Sequence, residues 1–246
     1  MSLEDANTQT DLAFTRKDRR GLAFENAFGG ATSFLRRQYS KDIVGADLVV
    51  TGVPFDQAVT HRPGTRFGPR AIREASTLQP YDPPYGWDGF DPLIVDYGDM
   101  PFDYANVAGV PDLVEAHIKT IIDQGPASIT LGGDHFITLP ILRAYAAKFG
   151  PVSVIQFDAH SDLWADDDMS RIDHGTFMYK AVKLGLVDVT RSVQIGIRTE
   201  CDDYCGMPYI GAREVHEKGA AYVVEKVKKI VCDAPTYVTF DIDALD

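Results

Sequence analysis

From residue 46 onward, runs rich in Val and Ile alternate with stretches of helical periodicity, and that alternation leaves few architectures open to the chain. The runs at Asp47–Val53, Leu93–Tyr97, Ala127–Leu131, Val152–Phe157, Ser192–Ile197 and Thr236–Ile242 read as strands, with a weaker one at Tyr209–Val215. Between them, Gly68–Ala75, Val110–Gln124, Ile137–Phe149, Thr176–Leu184 and Ala220–Val231 read as helices, the first entered through Pro69, a residue suited to the first helical turn. Strand and helix in turn predict βα units around a parallel sheet, and near-continuous apolar strands predict that both faces of that sheet are covered. Residues 46–246 are therefore expected to form one α/β domain, preceded by an arm or cap over residues 1–45 with few long apolar runs.

Charge narrows the function. The 24 basic residues stand against 36 acidic ones, a formal charge of −12, which argues against phosphate neutralisation and so against a nucleic-acid partner. No run of 18 apolar residues and no apolar leader segment occur, so a soluble, cytoplasmic chain without a membrane partner is expected. Cys201, Cys205 and Cys232 are too few and wrongly spaced for a disulfide framework or a zinc knuckle. The acids are 28 Asp and 8 Glu. Glu is the better helix former, so this bias places many carboxylates at strand ends, turns and caps, where metals are also bound.

Three strand ends carry the chemistry. Leu131-Gly132-Gly133-Asp134-His135 closes an apolar strand with an acid and a histidine; alone it is weak, since a histidine there is more often a turn or core residue. In Phe157-Asp158-Ala159-His160-Ser161-Asp162 the polar side chains fall at i, i+2 and i+4, so Asp158 and His160 share a face and Asp162 can reach the same point from the loop. Phe240-Asp241-Ile242-Asp243 places two acids on one face of a strand expected to be buried, where they lose hydration and repel each other unless a cation compensates. Parallel sheets bind ligands at the carboxyl ends of their strands, so the three segments should converge on one sheet edge. His135, Asp158, His160, Asp162, Asp241 and Asp243 then form a ligand set too large and too rich in oxygen for one zinc. It suits two manganese ions about 3.5–4 Å apart, sharing carboxylates and activating a bridging water as nucleophile.

These segments, with Asp173-His174-Gly175-Thr176, Ser192-Val193-Gln194-Ile195-Gly196-Ile197-Arg198, Thr51-Gly52-Val53-Pro54-Phe55-Asp56 and Arg62-Pro63-Gly64-Thr65-Arg66-Phe67-Gly68-Pro69, resemble the ureohydrolase family, the arginase and agmatinase group, and its agmatinase branch most. The resemblance runs from about residue 45 to the end. It implies a three-layer α/β/α fold with a mostly parallel sheet, a dinuclear manganese centre and hydrolysis of a guanidino group to urea, with agmatine giving putrescine. It further implies that His135 and Asp162 hold one ion and His160 and Asp243 the other, that Asp158 and Asp241 bridge, that Asp162 stabilises the tetrahedral intermediate, and that His174 shuttles the proton to the departing amine. A homo-oligomer, trimer or hexamer, is implied as well. Members of the family continue past the position of Asp246 to further strands, helices and a guanidinium-binding Glu, so the fold is expected to be incomplete at its C-terminus.

Arginases grip amino-acid substrates through a Ser/Asn-rich loop after the Asp-Ala-His-x-Asp motif. Here the loop reads Leu163-Trp164-Ala165-Asp166-Asp167-Asp168-Met169-Ser170-Arg171-Ile172-Asp173, which suits a substrate ending in an ammonium, with Asp166 and Asp168 as expected contacts. The alternatives are a guanidinobutyrase or formiminoglutamase-type enzyme on the same scaffold, and a non-catalytic truncated homologue.

Overall fold

A computed structural model describes residues 31–78, 81–82, 87–88 and 92–245, so most of the expected arm, and Asp246, lie outside the described residues. In chain order the elements are β1 (Gln38–Tyr39), β2 (Leu48–Val53), α1 (Gly68–Ser76), β3 (Tyr81–Asp82), β4 (Trp87–Asp88), β5 (Ile94–Asp99), α2 (Val110–Ile122), β6 (Ala127–Gly132), α3 (Thr138–Phe149), β7 (Ser153–Phe157), α4 (Phe177–Lys183), β8 (Val193–Ile197), β9 (Tyr209–Gly211), α5 (Ala212–Val231) and β10 (Thr236–Phe240). The β–α alternation read from residue 46 onward is present, and every pairing in the two larger sheets is parallel. Among the described residues no helix is long and apolar enough to cross a membrane.

Two compact units divide these elements. The first comprises the described residues up to Gln57, His61–Tyr104 and Ala116–Gly133, and holds the sheet β1-β5-β2-β6 and the short antiparallel pair β3-β4. Successive residues of β2 serve opposite faces: Val50 packs with Leu35, Ile94 and Leu131, while Val49 packs with Ile43, Val95 and Ile121. A charged cluster lies within this unit. Buried Arg73 of α1 donates to Asp96 through Nε at 2.8 Å and Nη2 at 3.0 Å, and to Asp99 through Nη1 at 2.6 Å. Lys41 lies 3.9 Å from the centre of the Tyr97 ring and donates to the Tyr97 carbonyl.

The second unit comprises Ala58–Thr60, Ala105–Glu115 and the chain from Asp134 onward, with the sheet β10-β7-β8-β9. Val193, Ile195 and Ile210 of β8 and β9 form a core with Val223 and Val231 of α5. β10 pairs with β7 without a shift, from Thr236 opposite Ser153 to Phe240 opposite Phe157.

Three expectations are corrected. The weak strand over Tyr209–Val215 stops at Gly211, and Ala212 begins a helix broken at Gly219 (φ 77, ψ 169), so the expected helix from Ala220 is only its second part. Ala212, Arg213 and Glu214 are helix formers that outweigh the single β-branched Val215, and Gly219 adopts the backbone at the break without a Cβ clash. Burial on both faces holds for β2 but not for β6 or β10, the end strands of their sheets. Val238 and Phe240 of β10 are 56% and 52% exposed, because hydrophobic composition alone does not distinguish an edge strand from an interior one. Finally, β7 and β10 are neighbours, but β6 belongs to the other four-stranded sheet, so the ligand segments do not follow three strands of one sheet.

Candidate metal centre

The parallel pairing of β7 and β10 sets the first part of the site. Both strands end together at Phe157 and Phe240, so Asp158 and Asp241 leave the sheet side by side. Two residues on, Asp243 returns to the same place from a short 3-10 turn, and its Oδ1 accepts the Ala159 N–H at 3.0 Å. Asp241 Oδ1 accepts the Asp243 N–H at 3.2 Å, leaving Oδ2 free to face inward. Gly196 of β8 has φ +96, and a Cβ there would stand 3.0 Å from the Asp158 carbonyl, so glycine lets β8 lie against the ligand segment.

His135 opens the 3-10 turn that leads into α3. Its Nε2 is 2.8 Å from Thr239 Oγ1, and its Nδ1 lies 3.0 Å from Asp158 Oδ2, 3.1 Å from Asp162 Oδ2 and 3.2 Å from Asp241 Oδ2. Asp162 reaches this point by adopting a left-handed backbone, φ +53, unusual for a residue with a side chain and enriched where geometry serves a site. Its carbonyl is held by the Met178 and Tyr179 N–H groups at 3.1 and 3.2 Å. On the other side of Asp158, His160 Nδ1 is 3.0 Å from Asp243 Oδ2 and 3.6 Å from Asp158 Oδ1. Two groups result, His135–Asp158–Asp162 and Asp158–His160–Asp243, each with ligand atoms close enough to surround one ion. Asp158 belongs to both, one oxygen toward each. Asp241 joins the first through its approach to His135.

The electrostatics ask for positive charge. Burial works against an imidazolium at His135, but the hydrogen bonding and charge of Asp158, Asp162 and Asp241 outweigh it and raise its pKa well above the usual value. Burial pushes Asp162 up to about 7, opposed by His135 and reinforced by the neighbouring carboxylates. Burial likewise raises Asp243. Three acids around the His135 ring and a fourth at His160 describe a cavity short of cations. His135 Nδ1 is a single buried atom that three carboxylate oxygens surround at 3.0–3.2 Å, more acceptors than its one position can serve. A divalent cation held by His135 and those carboxylates would resolve this, and Nε2–H donating to Thr239 would then fix the tautomer. The residues therefore fit the metal.

His174 opens another 3-10 turn, which packs against the turn of His135; its Nε2 is 3.4 Å from Thr60 Oγ1. The Phe177 ring, just beyond, packs at a tilt against the His135 ring, with centroids 4.5 Å apart. His174 thus borders the ligand cluster without belonging to either group. Asp134 is a cap: its Oδ1 accepts the Phe136 N–H and its Oδ2 the Ala58 N–H, both at 3.0 Å. The acids expected as ammonium contacts have partners within the protein. Asp166 Oδ2 lies 2.9 Å from Lys180 Nζ, a fully buried ammonium that also donates to the Arg171 carbonyl at 2.6 Å, and this contact lowers the Asp166 pKa. Asp168 Oδ1 accepts both the N–H and O–H of Ser170, closing a tight turn. The loop's acids are engaged within the loop and by α4, which their run in sequence does not disclose.

Sequence reasoning also missed Trp164, whose ring is 6.2 Å from that of His160 and lies so near Gly175 that a Cβ there would stand 3.1 Å from it. Arg198, which received no role, donates to the Asp243 carbonyl, and its own N–H reaches the Ala159 carbonyl at 3.0 Å, tying β8 to both ligand segments.

A model of the Arginase family matches residues 46–246. Over 99% of its length the chain is 46% identical to a protein named agmatinase from Chromobacterium violaceum, covering 77% of that protein. Among solved structures, a hypothetical agmatinase from Burkholderia thailandensis superposes with a TM-score of 0.90 at 47% identity, covering 95% of this chain and 75% of that one. Proclavaminate amidino hydrolase from Streptomyces clavuligerus superposes at 0.81 with 33% identity, covering 89% of this chain and 76% of the other.

Proposed function

The chain belongs to the arginase family, and from that premise we propose that it is a manganese-dependent agmatinase, hydrolysing agmatine to putrescine and urea. The observation that carries the reading is the doubly employed Asp158 between two ligand groups, joined to the 46% identity with a protein named agmatinase. His135, Asp158, Asp162 and Asp241 would hold one cation, and Asp158, His160, Asp241 and Asp243 the other. Oxygen-rich ligands with two imidazoles suit manganese. Two such cations, when bound, supply Lewis acidity and a nucleophilic water ionised near neutral pH.

The protein's own groups do the rest. Asp162, buried beside His135, accepts hydrogen bonds from the substrate nitrogens as the guanidinium carbon turns tetrahedral. His174, at the border of the cluster, passes a proton from Nε2 to the departing amine. The formal charge of −12 draws a dicationic substrate toward the site. Asp166 is paired with Lys180 of α4 and Asp168 with Ser170 of its own loop, so this long-range field adds to whatever direct contact those acids make.

The test is urea release from agmatine, arginine and 4-guanidinobutyrate by manganese-loaded protein, before and after chelation. Agmatine should be turned over best and chelation should abolish it. Preference for another guanidino compound would overturn the substrate, and full activity in chelator would overturn the metal.

A further inference from the structure

Behind Asp158 two glutamines lie where apolar side chains would pack as well. Gln156 of β7 and Gln194 of β8 are register partners on adjacent strands, and both are fully buried. Gln194 Nε2 donates to the Ser161 carbonyl at 2.6 Å and to Gln156 Oε1 at 2.8 Å. Gln156 Nε2 in turn donates to Asp158 Oδ2 at 2.7 Å and approaches the His160 carbonyl at 3.4 Å.

The direction of donation is forced. Backbone carbonyls only accept, so Ser161 fixes the nitrogen side of Gln194, which makes Gln156 present its oxygen to Gln194 and its nitrogen to Asp158. The other oxygen of Asp158, Oδ1, accepts the His160 N–H at 2.8 Å. Each carboxylate oxygen thus has one protein donor and keeps a lone pair for a ligand, Oδ2 toward His135 and Oδ1 toward His160. Among the described residues Gln194 Oε1 is left buried without a hydrogen-bond donor, a cost that an apolar pair would avoid.

Resting on the metal reading above, we infer that Gln156 and Gln194 form a one-way amide relay that orients the Asp158 carboxylate to bridge two cations. Gln156 is a positioning residue for Asp158, and Gln194 positions Gln156. Neither touches substrate.

The experiment measures manganese binding to the full chain without substrate, by counting bound ions after equilibrium dialysis and by recording the electron paramagnetic resonance of the loaded pair. The unaltered chain should bind two ions. Gln156→Leu and the isosteric Gln156→Glu, which turns an acceptor toward Asp158, should weaken binding about 10–100-fold, as losses of ligand-orienting partners do, and alter the spin coupling of the pair. Gln194→Leu should weaken it less, and it carries the test if the Gln156 variants do not fold, as judged by circular dichroism. Unchanged affinity and spectrum in folded variants would overturn the relay alone. Failure of the unaltered chain to bind manganese would overturn the metal reading and the relay with it.

Discussion

Two clusters of aspartates are held by parallel strands and the turns that follow them, one in each unit, and they solve the same problem in opposite ways. In the first unit, Asp96 and Asp99 of β5 surround the Arg73 guanidinium, whose three donors satisfy them. In the second, Asp158, Asp162, Asp241 and Asp243 meet two imidazoles and, among the described residues, neither Lys nor Arg at an ion-pairing distance. Four carboxylates repel one another at these separations unless a cation stands among them. Clustered acids are therefore not in themselves the mark of a metal centre. The mark is that the fold withholds the basic side chain that would neutralise them.

The contrast can be broken at several points. The largest effect belongs to Asp158→Asn, which removes the shared ligand: urea release should fall on the order of 10⁴-fold, as when one member of a tightly coupled catalytic set is lost, and dialysed protein should retain little manganese by elemental analysis. An active, metal-replete variant would contradict the bridging geometry. Next, Arg73→Met leaves Asp96 buried without its counter-charge and should cost about 3–5 kcal/mol in denaturant unfolding. If that variant instead kept its stability and acquired an extra manganese, the two clusters would differ less than their geometry suggests. Free manganese at about 100 times its dissociation constant should stabilise the unaltered chain by about 2.7 kcal/mol for each ion bound, and Arg73→Met by the same increment, since its substitution leaves the ligands in place.

The smallest effect is on pH. Burial, with Lys41 nearby, lowers the His117 pKa to about 4 in the folded chain, while its Nε2 donates to Thr51 Oγ1 at 2.7 Å, the hydroxyl donating onward to the Gly98 carbonyl. Its ordinary value is 6.5. Between those values the unfolded chain binds more protons than the folded one, so this histidine's contribution to stability is lost as pH falls from about 6.5 to about 4 and then levels off. His117→Gln, which keeps a donor for Thr51, should flatten stability across that window. An unchanged slope would assign the acid sensitivity to the carboxylates of the second unit instead.

How much of this is legible in sequence depends on range. The six candidate ligand side chains stand in short local patterns, acids and histidines just after the end of an apolar run, and the structure brings them together. Gly175 and the turn around His174 are similarly local. Thr239, Gln156, Gln194 and Lys180 act across strands or between a helix and a loop, and nothing in their own neighbourhoods marks them. The run Asp166-Asp167-Asp168 shows the same limit: the ion partner of Asp166, Lys180, comes from α4, and a local reading sees only unbalanced acid. Edge position is the other blind spot. Val238 and Phe240 resemble core residues until the sheet order shows β10 at its margin.

The unshifted pairing of β7 with β10 has a consequence for how such a chain can change. With Phe240 opposite Phe157, Asp241 falls beside Asp158 and Asp243 beside His160. Deleting a single residue upstream in β10 would keep every acid in the chain yet swing alternate side chains to the opposite face, bringing Ile242 where a carboxylate belongs. Point substitutions can be tolerated one by one along such a strand, but a frame of spacing this strict makes small insertions and deletions the more dangerous kind of variation.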